Sequence, residues 1–419
     1  MSQRKGHKKS EQDLRRDFAR LLSDHYDKMP IFPVRARGSF IWDTEGRQYI
    51  DAVSGYSCLN LGHRHPAILA AIRDWLEPDE YGTGVLQVVP NVYGTPYLFD
   101  ASEMITSMFG YDKVCWMNSG AEAVETALKL ARKWGYLHGK ANKKTHNAEI
   151  VVMDGNFHGR TTGIISFSSE NKYKAFFGPY MPGYLRIAFG DAAQLDDVLA
   201  KRHNIVAVLI EPIQGEGGVI IPPNGYLKAV RESCTRHDVL MIADEIQTGL
   251  GRTGALTACD HDGIRPDLLI LGKSLGGGVE PVSAILGNEQ FMVFTSGEHG
   301  STYAGNPLAT IIAKAVLETI ERDGLCGRSR NLGAHFQAAL TAKLAGNPLV
   351  SEIRGRGLMI GIELVPGTSA KHILKTLLDC GVMCKDAHGV IRISPPLTTD
   401  ADTLDDLANR IARAFTIAV

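Results

Sequence analysis

Residues 268–278 read Leu-Leu-Ile-Leu-Gly-Lys-Ser-Leu-Gly-Gly-Gly. Four apolar residues run together without polar alternation and stop at a glycine and a lysine. A short run of that kind suits a strand buried on both faces, as in a parallel sheet covered by helices. The pattern recurs at Ile150–Met153, Val206–Ile210, Val239–Ala243 and Val282–Leu286. Amphipathic stretches, such as Ala121–Trp134 and Leu227–His237, lie between several of these runs. Alternating strands and helices predict an α/β fold around a mostly parallel sheet. Ser39–Tyr49 reads as a hairpin turning at Asp43-Thr44-Glu45-Gly46. After about residue 318, helical stretches at Asn331–Leu344, Ala370–Leu378 and Leu404–Phe415 flank short strands at Leu358–Leu364 and Val390–Ile393. That change predicts a smaller α+β domain. The expected division is 1–75, an N-terminal segment contributing to the small domain; 76–318, the large domain; and 319–419, the C-terminal small domain. Residues 1–24 read as a basic, polar tail entering a short amphipathic helix.

Composition narrows the function classes. The chain has 419 residues, with 45 Lys and Arg against 46 Asp and Glu. A net charge of −1 argues against a broad polyelectrolyte surface for nucleic acid. No run approaches the roughly 18 apolar residues of a membrane span, and the N-terminus lacks the apolar core of a secretory signal. The seven cysteines are scattered and form no CxxC pair. This argues against a disulfide framework and points to a reducing cytoplasm. His63 and His65 have no neighbouring cysteine or carboxylate cluster in the sequence, so no metal site is expected.

In open α/β sheets, ligands gather at the carboxyl ends of the strands. Glu211 follows one apolar run, and Asp244, Glu245 and Gln247 follow another. Lys273 follows a third, while Asp154, Asn156, Phe157, His158 and Arg160 follow a fourth. Taken singly, such residues are ordinarily solvated strand ends or helix caps. Taken together, they place carboxylates, an amine and an arginine on one edge. A lysine leaving an apolar strand beside a glycine run can lose solvation and have its pKa lowered, as a Schiff-base nucleophile requires. A second constellation, Met117-Asn118-Ser119-Gly120-Ala121-Glu122-Ala123, opens an amphipathic helix. Ser119 and Glu122 have capping-box spacing. The same helix start, with Gly120 allowing close approach, can serve as a phosphate cup. A lysine for an imine, a carboxylate for a pyridine nitrogen and a phosphate cup together suggest pyridoxal phosphate.

Longer motifs carry a resemblance: Lys129–Tyr136 (KLARKWGY), Glu211–Gly218 (EPIQGEGG), Ile242–Gly249 (IADEIQTG), Gly272–Gly278 (GKSLGGG), Gly297–Pro307 (GEHGSTYAGNP) and Arg354–Gly361 (RGRGLMIG). From about residue 25 to the C-terminus the chain resembles the class III pyridoxal-phosphate-dependent aminotransferases, and among them it is most similar to members acting on ornithine. The resemblance implies a fold-type I transferase with a large cofactor domain and a smaller α+β domain. It implies a homodimer with shared active sites. Lys273 would carry the cofactor as a Schiff base and Asp244 would pair with its pyridine nitrogen. Gln247 would bond the ring hydroxyl, Phe157 would stack on the ring, and Ser119, Gly120 and Ala121 would cradle the phosphate. Ser301 and Thr302 would reach that phosphate from the neighbouring subunit. On the substrate side, Glu216 and Arg392 match a pair that separates two substrates, and Arg160 and Tyr26 match the groups that hold the distal carboxylate of ornithine. Tyr56 matches an aromatic residue beside the substrate chain.

The implied activity moves the terminal amino group of an ω-amino acid, first L-ornithine, to 2-oxoglutarate by a ping-pong route. The alternatives are another ω-transaminase, taking lysine, acetylornithine, 4-aminobutyrate or a specialised amine, and an aminomutase, racemase or decarboxylase on the same fold. Two departures bear on the donor. Glu77–Tyr97 is longer than in ornithine enzymes, and His158 stands where they often carry tryptophan.

Overall fold

A computed structural model describes residues 9–26, 29, 31–78, 85–90 and 92–419. Most of the long 77–97 stretch is described, but residues 79–84 and 91 lie outside the described residues.

The apolar runs build a seven-stranded sheet. Its order is Lys113–Met117, Ser283–Gly287, Leu268–Leu271, Leu240–Asp244, Ile205–Ile210, Glu149–Met153 and Tyr184–Ile187. Ser283–Gly287 runs antiparallel to both neighbours, and the other pairings are parallel. Every residue of Ile205–Ile210, Leu240–Asp244, Leu268–Leu271 and Ser283–Gly287 is buried. This is why those sequences show no alternation. The helix Gly120–Leu137 covers one face, and Ala192–Lys201 with Tyr226–Arg236 cover the other.

Two four-stranded sheets complete the strands of the described residues. One pairs Pro33–Arg37, Phe40–Asp43 and Gln48–Asp51 with Val382–Met383, which joins in parallel from the far end of the sequence. The other orders Val350–Arg356, Met359–Leu364, Val390–Ile393 and Lys385–Ala387. The expected hairpin and the C-terminal helices form, the helices at Leu325–Lys343, Ala370–Asp379 and Ala401–Ala418. The tail helix spans Glu11–Leu21, capped by the Ser10 hydroxyl.

The helix Pro307–Arg322 has no counterpart in the sequence reading, and residue 318 falls inside it. It is buried around most of its circumference, and only Glu318, Glu321 and Arg322 are exposed, so its polar stripe is narrow. The fully buried Arg252 was also missed. Its Nη1 donates to the Leu358 and Pro395 carbonyls at 2.9 and 2.6 Å, and its Nη2 to Asn60 Oδ1 at 2.6 Å. One guanidinium thus ties three distant segments together.

Candidate active site

The strand order brings the carboxyl ends of Leu268–Leu271, Leu240–Asp244 and Ile205–Ile210 side by side. Lys273, Asp244 and Glu211 therefore emerge on one edge. Asp244 ends its strand and is buried. Its Oδ1 accepts from the Ile246 N–H at 3.1 Å, and its Oδ2 lies 2.7 Å from His158 Nδ1. Burial pulls the His158 imidazole toward neutrality, but the bond to Asp244, the Asp244 charge and then the Glu211 charge raise its pKa above the ordinary value. Glu211 is pushed up to about 7 by burial, against the pull of His158. Its Oε2 accepts the Phe157 N–H at 2.9 Å.

Lys273 follows Gly272 and opens a short 3-10 turn with a positive φ of 45°. A left-handed lysine is strained, and such strain gathers at functional positions. Burial lowers the pKa of its amine. Glu216, Cys58 and Asp244 oppose that shift, and Arg392 adds to it.

Glu216 and Arg392 meet. Arg392 Nη1 donates to Glu216 Oε1 at 2.5 Å. Burial would raise Glu216, but Arg392 and then Lys273 hold it below the usual carboxylate range. The loop carrying Glu216 is anchored by Arg354, whose Nη2 and Nε donate to the Gly218 and Val219 carbonyls at 2.8 and 2.9 Å. Gln247 Nε2 lies 3.5 Å from Glu216 Oε1. A Cβ on Gly215 would fall 1.6 Å from Gln247 Oε1, so only glycine leaves the amide its place. The Tyr56 ring lies 5.8 Å from the Arg392 guanidinium, on a turn where Ser54 to Ser57 all have positive φ. Arg160 sits among aromatic rings: Tyr173 at 4.7 Å, Phe157 at 5.7 Å and Tyr26 at 5.9 Å. Tyr173 carried no signal in the sequence, because it sits on a short helix, Asn171–Lys174, rather than at a strand end.

The Ser119 hydroxyl accepts from the Glu122 N–H at 3.2 Å, and Glu122 Oε2 takes the Ser119 N–H at 2.7 Å. The capping box is therefore formed. Glu122 Oε1 is engaged by Asn118 Nδ2 at 3.1 Å and by the Ser301 hydroxyl at 3.0 Å. The first-turn N–H groups of Gly120 and Ala121 have no intrahelical acceptor. A Cβ at Gly120 would meet the tip of the Ile246 side chain at 2.9 Å, so a larger residue there would have to displace that tip. Thr302 and Tyr303 are exposed on the adjoining turn. His63 Nε2 is spent on Asp51 Oδ2 at 2.9 Å. No group of three or more His, Cys, Asp or Glu suited to a metal ion occurs among the described residues.

These residues fit pyridoxal phosphate. A lysine of lowered pKa, a buried carboxylate and a helix N-terminus with a glycine floor meet its aldehyde, ring nitrogen and phosphate in kind.

The class III aminotransferase model matches residues 21–415. An ornithine aminotransferase of Staphylococcus carnosus is 43% identical over 393 residues, covering 93% of this chain and 96% of that protein. The mitochondrial ornithine aminotransferase of Arabidopsis thaliana is 46% identical over 390 residues, covering 91% of this chain and 80% of that protein. The crystal structure of an ornithine aminotransferase from Toxoplasma gondii superposes with a TM-score of 0.93 at 38% identity, covering 98% of this chain and 96% of that one. Fold, site and relatives agree: the chain belongs to the class III aminotransferases, enzymes that depend on pyridoxal phosphate.

Proposed function

We propose that this aminotransferase moves the δ-amino group of L-ornithine to 2-oxoglutarate. The observation that carries the reading is the Glu216–Arg392 pair, closed at 2.5 Å beside Lys273. Pyridoxal phosphate, when bound, supplies an electron-withdrawing ring that acidifies the C–H bond next to the nitrogen it carries. Asp244 favours the protonated pyridine nitrogen, and His158 holds that carboxylate in place. Lys273 Nζ, lowered toward neutrality, takes and returns the proton. Paired, Glu216 and Arg392 present little net charge to an uncharged methylene chain. Parted, Arg392 grips a carboxylate of the 2-oxo acid in a bidentate bond. Arg160 and Tyr26 hold the distal carboxylate of the donor, and Tyr56 lines the chain's path. Gln247, Phe157, Ser119, Gly120 and Ala121 hold the cofactor.

The reading includes a cytoplasmic homodimer in which Ser301 and Thr302 reach the neighbouring subunit's phosphate. The exposure of Thr302 on its turn supports an outward reach, while the Ser301 hydroxyl is engaged by Asn118 and Glu122 of its own chain. It also includes the division into 1–75, 76–318 and 319–419, supported by Val382–Met383 joining the N-terminal sheet. No helix among the described residues is long and apolar enough to cross a membrane.

The test is a half-reaction. Ornithine alone is expected to discharge the cofactor's long-wavelength absorbance in one turnover, and 2-oxoglutarate to restore it. No change with ornithine, but discharge by acetylornithine, lysine or 4-aminobutyrate, would reassign the donor. Product formed without any 2-oxo acid would point to a mutase, racemase or decarboxylase. Lys273→Ala is expected to abolish turnover.

A further inference from the structure

A cavity of about 200 Å³ opens beside the Glu216–Arg392 pair, with Phe157, Glu170, Tyr173, Glu216 and His388 in its wall. Phe157 and Tyr173 pack edge to face at 5.8 Å, and both rings border Arg160. The cavity therefore shares two walls with the aromatic cage of that arginine. It also holds two carboxylates of different standing. Glu216 is committed to Arg392. Glu170 spends Oε1 on the Lys172 N–H at 2.9 Å, capping a short turn. Among the described residues, its Oε2 has a longer contact with His388 Nε2, 3.8 Å away and beyond hydrogen-bond range. One oxygen of a half-buried carboxylate thus remains available inside a cavity next to the arginine.

We propose that this cavity is the subsite for the α-ammonium group of the donor, read by Glu170. The inference rests on the ornithine reading above. A carboxylate held by Arg160 brings with it whatever its α-carbon carries, so a free α-ammonium enters at the same place. Glu170 supplies the complementary charge, and the rings of Phe157 and Tyr173 add faces that favour a cation. A site built to bond an N–H favours the donor that carries one over an analogue that lacks it, here moderately, because Glu170 is only half-buried. The cavity therefore discriminates ornithine from ω-amino acids with nothing on the α-carbon and from donors whose α-nitrogen is acylated. His388, on a turn of the small-domain sheet with φ of 51°, closes the cavity from the opposite side.

The experiment compares the wild-type holoenzyme with Glu170→Gln, which keeps an acceptor for the Lys172 N–H. Donors are L-ornithine and 5-aminopentanoate, which is ornithine without its α-ammonium. The preference for ornithine, as the ratio of kcat/KM values, is expected to fall about tenfold in the variant, equivalent to ~1.4 kcal/mol. L-Norvaline keeps the α-ammonium and α-carboxylate but lacks the δ-amine, and it is bound to the pyridoxamine form of the enzyme, where its own amine cannot exchange with the lysine. Its calorimetric Kd is expected to rise by a similar factor. An unchanged ratio, or an equal loss with both donors, would overturn the inference while leaving the donor reading intact. A wild-type enzyme inert toward ornithine but active on 5-aminopentanoate would overturn both.

Discussion

His158 Nδ1 and Asp244 Oδ2 lie 2.7 Å apart, and both residues are buried. The carboxylate assigned to the ring nitrogen is thus held from behind by an imidazole, with the Ile246 N–H as its other donor. Among the described residues, the buried His158 Nε2 has no hydrogen-bond partner, so the ring's placement rests on the Asp244 bond and on packing, including its contact with Phe167.

Removing that bond should loosen the cofactor. His158→Phe fills the space but cannot donate, and a hydrogen bond to a charged group is worth about 1.5–3 kcal/mol. Titrating the apoenzyme with pyridoxal phosphate, followed by fluorescence, should show at least a tenfold weaker Kd. His158→Gln, which retains a donor, should recover part of it. Equal affinities in all three proteins would mean that the imidazole only fills space.

Glu211 gives a pH dependence of defined sign. Its carboxyl titrates at about 7 in the fold, raised by burial from an ordinary 4.5. The folded chain therefore holds a proton that the unfolded chain releases above 4.5. This group costs no stability below that pH, and its penalty grows until pH 7 is passed. His158, also raised, loses its contribution in the same direction as pH rises through its folded pKa. Melting temperature should fall between pH 5 and 8, and Glu211→Gln should fall less steeply. Parallel curves for the two proteins would contradict the burial account.

Gly215→Ala should strike the cofactor's hold rather than the fold. The added Cβ would lie 1.6 Å from Gln247 Oε1, so the amide must swing away. Weaker pyridoxal phosphate binding with a nearly unchanged apoenzyme melting temperature is the expected pair of results. A large drop in apoenzyme stability would show that the loop, not the amide, gives way.

Arg252→Met should do the reverse. It leaves the Leu358 and Pro395 carbonyls and Asn60 Oδ1 without their shared donor in the interior. A loss of roughly 3 kcal/mol or more is expected, since each buried acceptor left unpaired costs about 1–3 kcal/mol. Denaturant unfolding would measure it.

The sheet was legible in the sequence because its strands are buried on both faces, and apolar runs such as Leu268–Leu271 need no alternation to be found. The edge carrying Lys273 and Asp244 followed from where those runs stop. The capping box at Ser119 and Glu122 was legible because its partners are three residues apart. The pairing of Glu216 with Arg392 was reached through family likeness, not from local pattern. What stayed hidden depends on long-range placement. Glu170 and Tyr173 are close in the chain, but His388 lies more than two hundred residues further on, and only the folded structure brings them to one cavity. Arg252 looked like any loop arginine until three segments closed around it. His158 could be noted as unusual, but its bond to Asp244 spans 86 positions.

The parallel pairing of Val382–Met383 with Ile50–Asp51 has a consequence for biosynthesis. The N-terminal hairpin emerges from the ribosome more than three hundred residues before the strand that completes its sheet. Until then its edge lies open, a template for pairing with other chains. The central sheet, whose strands are all made by Gly287, can assemble first. Arg392 joins the site only with the last strand, so on the reading proposed above the nascent chain shapes the cofactor pocket before it gains the residue that would sort its substrates.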